Sequence, residues 1–443
     1  MKIWKLLALV AVICLGVTAL TSSAGLAAGQ GKTKGVTLVW WHNANQGAGL
    51  QLWKNVASEF QKKHPGVTVK VVPFQNEALK TKIPISLQSS SPPDVFQEWG
   101  GGQLVDQVKA HKVANLTKYV KSWIKNIGGS AAGWQVNGQQ YGIPYNVGVV
   151  GFWYNKDLFA KAGISSPPTT WPDFLSDVAK LKTAGIAPIA IGGKDKWPDA
   201  FYWDYLAVKL CSKTVIQQSA VSYNFTNPCW LQAGNYVQQL LDAKPFNEGF
   251  LATPAQQGAT SSAGLVANGK AAMELQGHWN PGVMQPLTPD NKIPAFLGWF
   301  PFPNVPGSKA LPGSLLGGGD GFACSIKAPE PTCAQFLAYI DSMSVQKRIG
   351  STNFGLPVLK GSESSVKDPN LKAVLASRSS SPFVQLYLDI AYSAAIGQAL
   401  DDAVANEFAG QATPQQVLTQ ITDAFASILK TYEDIWNQAQ VKR

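Results

Sequence analysis

Between Val36 and Trp99 the apolar pattern switches repeatedly between a strand period and a helix period, and this alternation restricts the fold more than any other feature. "VTLVWW" (Val36–Trp41) is β-branched and aromatic, the composition of a strand. A polar turn, "HNANQGAG", leads into a helix with Leu50, Trp53, Val56, Ala57 and Phe60 at helical spacing, closed by "HPG". "VTVKVVPF" (Val67–Phe74) is a second strand, a polar helix-like stretch runs to Ser91, and "PPDVF" reads as a third, buried strand. Strand, helix, strand, helix, strand predicts a parallel sheet with right-handed crossovers, an α/β lobe.

The chain is too long for one such lobe. Its 443 residues, 45% hydrophobic and 14% charged, provide for two domains with their own cores and exclude a disordered chain. A hairpin is expected at Asn137–Gly138. The extended run "YGIPYNVGVVGFWYN" exceeds one strand and is broken by Pro144 and Gly148, as a strand crossing between lobes would be. A second set of elements follows: a helix from Trp171 to about Thr183, a strand "IAPIAI" (Ile186–Ile191), aromatic helices and a strand Ala271–Gly277. In the last helix Thr413 is the cap and Pro414 takes the first turn. Val417, Ile421, Phe425, Ile428, Tyr432 and Ile435 mark its buried face.

The first 28 residues read as an export signal. Lys2 and Lys5 precede the apolar run Leu6–Leu20, which is short for a membrane span, and small residues near Ala27 and Ala28 offer a cleavage site. Cys14 follows Ile13 rather than a small residue, so a lipoprotein anchor is not supported. The expected location is extracellular or periplasmic, in association with the cell surface. Removal of Cys14 leaves Cys211, Cys229, Cys324 and Cys333; of three possible pairings, the local ones, Cys211–Cys229 and Cys324–Cys333, are the economical choice. Zinc fails on spacing, with no Cys-x-x-Cys and no His nearby. The net charge of +10 comes from scattered basic residues, in no block longer than that at Lys62–Lys63. It suits an anionic cell surface and excludes nucleic acid as the partner.

Catalytic signatures are absent. "GLVANGKA" (Gly264–Ala271) resembles a phosphate loop but ends in Ala271, where magnesium binding needs a hydroxyl, and lies after a helix and before a strand, the reverse of the required order. There is no G-x-S-x-G and no H-E-x-x-H among only four His (His42, His64, His111, His278). Glu98, Asp199, Asp204, Glu274 and Asp320 supply acids for a glycosidase, but nothing in the sequence pairs them. No cofactor or metal is implied. What recurs is an aromatic beside short polar side chains at element ends: "WWHNANQ", "FQEWGGG", "KWPDAFYWDY" and "GHWNPG". Aromatic faces cover the C–H faces of a sugar, while amides, acids and His exchange hydrogen bonds with its hydroxyls. Strand ends are where α/β folds bind ligands.

"TLVWWHN", "FQKKHPGVTVKVV", "PPDVFQEWGGG", "YNKDLFAKAG" with "TTW", "NGKAAM" with "G-x-W", and "GGGDGFACS" occur in the order found in a known family. From Val36 onward the chain resembles the extracellular carbohydrate-binding proteins of ABC importers, similar to the maltose-binding protein. The resemblance implies a two-lobed periplasmic-binding-protein-like fold, two α/β lobes joined by crossing hinge segments: 29–145 with 305–350, and 146–304 with 351–443. It implies a di- or oligosaccharide held between the lobes, an ABC transporter membrane permease as partner, and a monomer. Family contact positions fall on His42, Asn43 and Gln46 after the first strand, and on Gln97, Glu98 and Trp99 before the glycines. They continue at Asn146 in the crossing, His278 and Trp279 after "QG", and Gly318, Gly319 and Asp320 in "GGGD". Trp197, Asp199 and Asn353 complete the set. "QEWGGG" is more similar to some oligosaccharide-binding branches, including xylo-oligosaccharide binders, than to the maltose-binding protein itself. In this reading Gln97–Trp99 are an exposed strand end, Glu98 presents two oxygens to the ligand, and Gly100–Gly102 let the backbone approach it.

Two alternatives stand beside this: a secreted glycoside-acting enzyme, and a receptor of the same fold for glycerol phosphate, a polyamine or a peptide. A phosphate ligand calls for Arg clusters or helix-start amides. Only Arg348, Arg378 and Arg443 occur.

Overall fold

The structure, a computed structural model, describes residues 35–441, and side chains as far as residue 430. The export signal and Cys14 lie outside the described residues. The expected alternation opens the fold. Strand β1 (Val36–His42) pairs in parallel with β2 (Val67–Pro73) over its full length, Val36 opposite Val67 and His42 opposite Pro73. On its other side it pairs in parallel with β3 (Val95–Glu98). The helices Gly47–Lys63 and Asn76–Ser86 make the two crossovers. The first buries Leu52, Trp53, Val56, Ala57 and Phe60, the stripe expected from the sequence.

A short hairpin, β4 (Gln135–Val136) and β5 (Gln139–Gln140), turns at Asn137 and Gly138 with φ of 51° and 73°, the double positive φ of a type I′ turn. The crossing run then divides in two. Its first part, β6 (Gly142–Val149), is paired antiparallel to a later strand of the first sheet; after Val150 it continues as β7 (Gly151–Asn155), the centre of a second sheet. There β8 (Met273–Gln276) and β9 (Leu297–Phe300) flank β7, both antiparallel to it. The chain re-enters the first sheet along β10 (Leu315–Cys324). This strand pairs with β3 at its carboxyl end, with β6 along its length, and in parallel with β11 (Val384–Leu386) at its start. The β6–β10 register shifts at Asp320/Gly321, where Pro144 has no N–H for the ladder.

Each sheet has its own core. Trp40, Trp53, Phe60, Tyr145, Phe322 and Phe336 pack edge-to-face or stacked under the first, with Trp40 and Trp53 centroids 5.3 Å apart. The helix Trp197–Leu210 is buried along its whole length in the second, where Tyr205 stacks on Phe302 at 4.4 Å and Trp203 on Trp230 at 5.9 Å. Val305, Leu315 and Leu316 pack with the second core, and Val358 with the first. The last helix, Pro414–Val441, begins with a reciprocal cap: Gln416 N donates to Thr413 Oγ1, and Thr413 N to Gln416 Oε1. Val417 and Ile421 are fully buried, while Tyr432 and Ile435 fall outside the described side chains.

Two local readings meet different fates. "IAPIAI" forms only isolated bridges, at Ile189 to Phe246 and Met273, because Pro188 has no N–H to continue a ladder. Gly264–Ala271 is, as expected, a helix end before a strand: the helix Ser262–Ala267, then Gly269 at φ 67°, then β8. No helix among the described residues is long and apolar enough to cross a membrane.

Both local disulfides are present. Cys211–Cys229 ties the end of the helix Trp197–Leu210 to the helix Pro228–Asp242, and Cys324–Cys333 ties the end of β10 to the helix Glu330–Ile340. Cys211→Ala with Cys229→Ala, which opens a link 18 residues apart in sequence, is expected to lower stability by about 2–4 kcal/mol in urea unfolding. An unchanged midpoint would show that the bridge adds nothing.

Candidate functional site

A cavity of about 130 Å³ lies where the ends of β1 and β3 meet the two crossing strands and elements of the second lobe. Of the residues singled out from the sequence, eight line it: Asn43, Gln46, Trp99, Asn146, Trp197, Trp279, Gly319 and Asp320. Three indoles therefore converge from three separate elements.

Their N–H groups are treated differently. Trp99 Nε1 donates to Asp320 Oδ1 at 2.9 Å, which also accepts from Gln97 Nε2 at 2.8 Å; Asp320 Oδ2 accepts from Asn146 Nδ2 at 3.0 Å. Trp197 Nε1 donates at 3.1 Å to Glu77 Oε1, which Asn76 Nδ2 also approaches at 2.7 Å; Asn76 Oδ1 in turn accepts from Asn43 Nδ2 at 3.0 Å. Trp279 Nε1 is buried and has no partner. It stands edge-on to Trp197 and Tyr387, with centroids 6.5 and 6.1 Å away.

The other seven do not reach the cavity. His42 follows the period of β1 inward with Leu38 and Trp40, and lies 4.8 Å edge-on to Trp40. Burial lowers its pKa to about 3, so the ring is neutral. Gln97 is buried beneath Asp320. Glu98, expected at an exposed strand end, is buried: its Oε1 accepts the backbone N–H of Trp99 and of Gly100, both at 3.0 Å, and burial pushes its pKa up to about 7. Asp199 sits fully buried in the first turn of the helix Trp197–Leu210, and burial, with Asp195 nearby, raises its pKa well above the ordinary carboxylate range. His278 is buried against Asn146. Gly318 lies under the Tyr387 ring, which a Cβ there would meet at 2.5 Å. Asn353 adopts φ 56° and is only partly buried, outside the lining.

The glycine triplet also serves a different purpose from the one expected. A Cβ on Gly101 or Gly102 would come within 2.5 Å of Ile390 O or 2.2 Å of Tyr392 O. The triplet opens the helix Gly101–Lys109; Gly101 and Gly102 admit the backbone of 390–392, and Gly100 admits that of Gly133.

Sequence reasoning missed Lys80, Gln256, Gln257, Phe354, Tyr387 and Asp389, which also line the cavity. Tyr387 and Asp389 follow β11 in a segment without a motif, and only the tertiary fold brings them here. Lys80 Nζ lies 3.6 Å from Asp389 Oδ2. Burial pulls its pKa down, but the Asp389, Glu77 and Asp401 carboxylates outweigh that and leave it raised, so it stays charged and paired. No Arg lines the cavity, and among the described residues no cluster of His, Cys, Asp and Glu could hold a metal.

A family model described as bacterial extracellular solute-binding protein matches residues 43–347, and the chain belongs to that family. An uncharacterized ABC transporter extracellular-binding protein of Pyrococcus horikoshii is 25% identical over 409 residues, covering 87% of this chain and 86% of the relative. The multiple sugar-binding protein of Streptococcus mutans is 27% identical over 348 residues, 74% of this chain and 76% of the relative. A solved chain from a study of xylan utilization by the thermophilic bacterium Caldanaerobius polysaccharolyticus superposes with a TM-score of 0.80 at 26% identity, over 87% of this chain and 99% of that one. The architecture is the two-lobed one of sugar-binding receptors for ABC import.

Because Glu98 holds its proton more tightly folded than unfolded, ionising it costs stability as pH rises from about 4.5 to about 7. Glu98→Gln keeps an oxygen for the two backbone donors and removes that cost. Its stability relative to the parent is expected to rise across this window, by about 1–3 kcal/mol at pH 8. Urea unfolding at pH 5 and pH 8 tests this; an equal effect at both pH values would refute it.

Proposed function

We propose that the protein captures a neutral di- or oligosaccharide in this cavity outside the cytoplasm and delivers it to an ABC transporter permease, without chemical change. The observation that carries the reading is the convergence of Trp99, Trp197 and Trp279 on one cavity edged by Asn43, Gln46, Asn146 and Asp320. Indole faces match the C–H faces of sugar rings, and the amides and carboxylate match hydroxyls. The multiple sugar-binding relative and the xylan-utilization structure favour carbohydrate, with xylo-oligosaccharides as the first class to try.

Site chemistry argues against a glycoside-acting enzyme and against a phosphate ligand. Asp320 is engaged by three protein donors and Asp389 is paired with Lys80, which is unlike an acid–base pair poised on a glycosidic bond. The same pairing leaves no free cation for a phosphate at the cavity among the described residues. The eight lining residues are proposed as direct contacts, and the buried six of the other seven as their support, Asn353 being only partly buried. The proposed lobes, 29–145 with 305–350 and 146–304 with 351–443, close on the ligand by bending at the crossings, and the permease reads the closed state. The packing of Leu315 and Leu316 with the second core, and of Val358 with the first, favours crossing points several residues after 305 and 351.

A thermal-shift titration of the mature protein against xylo- and cello-oligosaccharides, mono- and disaccharides and glycerol phosphate tests the reading. One sugar class should raise the melting temperature with concentration and be recovered uncleaved. A shift with glycerol phosphate alone, or shortened products, would overturn it. Trp99→Ala and Trp279→Ala should each weaken binding by about 1–3 kcal/mol, roughly 5- to 150-fold by calorimetry, with the fold retained.

A further inference from the structure

We infer that His278 is a positioning residue for Trp99, acting through Asn146 and Asp320 along a hydrogen-bond chain that crosses both strands joining the lobes. The inference rests on the sugar-binding reading only for its effect on affinity.

The chain has one consistent set of donors. Asp320 lies on β10 opposite Asn146 on β6, and faces its Nδ2 across the pair. A carboxylate there fixes the amide: Asn146 must present its NH2 to Asp320 and its Oδ1 to the other side. On that other side stands His278 Nε2, in hydrogen-bond contact with Asn146 Oδ1. Burial, helped by Arg378, lowers the His278 pKa to about 3, so the ring carries a single proton. Facing an acceptor, that proton belongs on Nε2; Nδ1 is buried without a partner. The direction is therefore His278 to Asn146 to Asp320, and Asp320 holds the Trp99 indole through the oxygen it shares with Gln97.

The backbone is shaped to admit this ring. A Cβ on Gly148 would lie 2.3 Å from a ring carbon of His278, so a side chain there would displace the imidazole. His278 also neighbours Trp279 in sequence. The chain thus links the segment bearing one indole of the cavity, Trp279, to a second indole that lines it, Trp99. Removing the first donor takes away one of the two hydrogen bonds that hold the Asn146 amide, and so loosens its hold on the Asp320 carboxylate that orients Trp99.

The test needs no sugar. In 15N–1H correlation spectra of the unliganded protein, the Trp99 indole N–H is identified by its loss in Trp99→Phe. Asp320→Asn supplies the position of that resonance without the carboxylate. His278→Leu removes the donor at similar volume, and His278→Gln restores one. The expected result is a Trp99 resonance moved toward its Asp320→Asn position in His278→Leu and returned in His278→Gln. Where a sugar binds the parent, affinity should fall about fivefold in His278→Leu, and that loss should disappear in the Trp99→Phe background. A folded His278→Leu with an unmoved Trp99 resonance overturns the inference, whatever the ligand. A protein that binds no sugar but shows the shift and its rescue retains the inference and loses the sugar-binding reading instead.

Discussion

The carboxylate of Asp320 is the point on which the rest of the site depends. It sits midway along β10, the strand that touches β3, β6 and β11, and collects three side-chain N–H groups from three different strand or strand-end positions. A charge-assisted hydrogen bond contributes about 1.5–3 kcal/mol, and orphaning its buried partners costs a comparable amount. Those bonds set the plane of one cavity indole and the orientation of one crossing-strand amide together. Cavity geometry and crossing geometry are consequently a single problem in this protein.

Around that hub, burial decides protonation. His42 and His278 are held neutral, and desolvation raises Glu98, Asp199, Asp204 and Glu274. None of these groups lines the cavity; they lie buried behind it, and the acids among them cost stability whenever the pH ionises them. Lys80, the one cation at the cavity among the described residues, is compensated by Asp389. The resulting surface is polar, aromatic and close to charge balance, which suits hydroxyls better than ions.

The parallel order of β1, β2 and β3, the Asn137–Gly138 hairpin, the departure of the crossing strand and both disulfide pairings were legible in the sequence. Each rests on short-range chemistry: period, turn conformation, or economical local pairing. Legibility failed where one short segment contains two different instructions. "FQEWGGG" signals a polar strand end, yet Gln97 and Glu98 are buried and only Trp99 reaches the cavity, because β3 lies between β1 and β10, Asp320 takes up the Gln97 amide and the Trp99 and Gly100 backbone takes up the Glu98 carboxyl. Pro188 likewise defeats a strand that its apolar neighbours suggest.

By itself the sequence determined the family, the alternation that builds the first lobe, and the aromatic-with-amide composition of the cavity. These follow from periodicity and side-chain chemistry, which travel with the chain. Tertiary structure alone decided which polar residues face the cavity and which turn inward to hold them. It put Tyr387 and Asp389 beside Asn43 and Trp99 and made Asp320 the acceptor that orients an indole. The physical reason is that orientation at a strand end is set by what packs over it, and here those partners come from far along the chain.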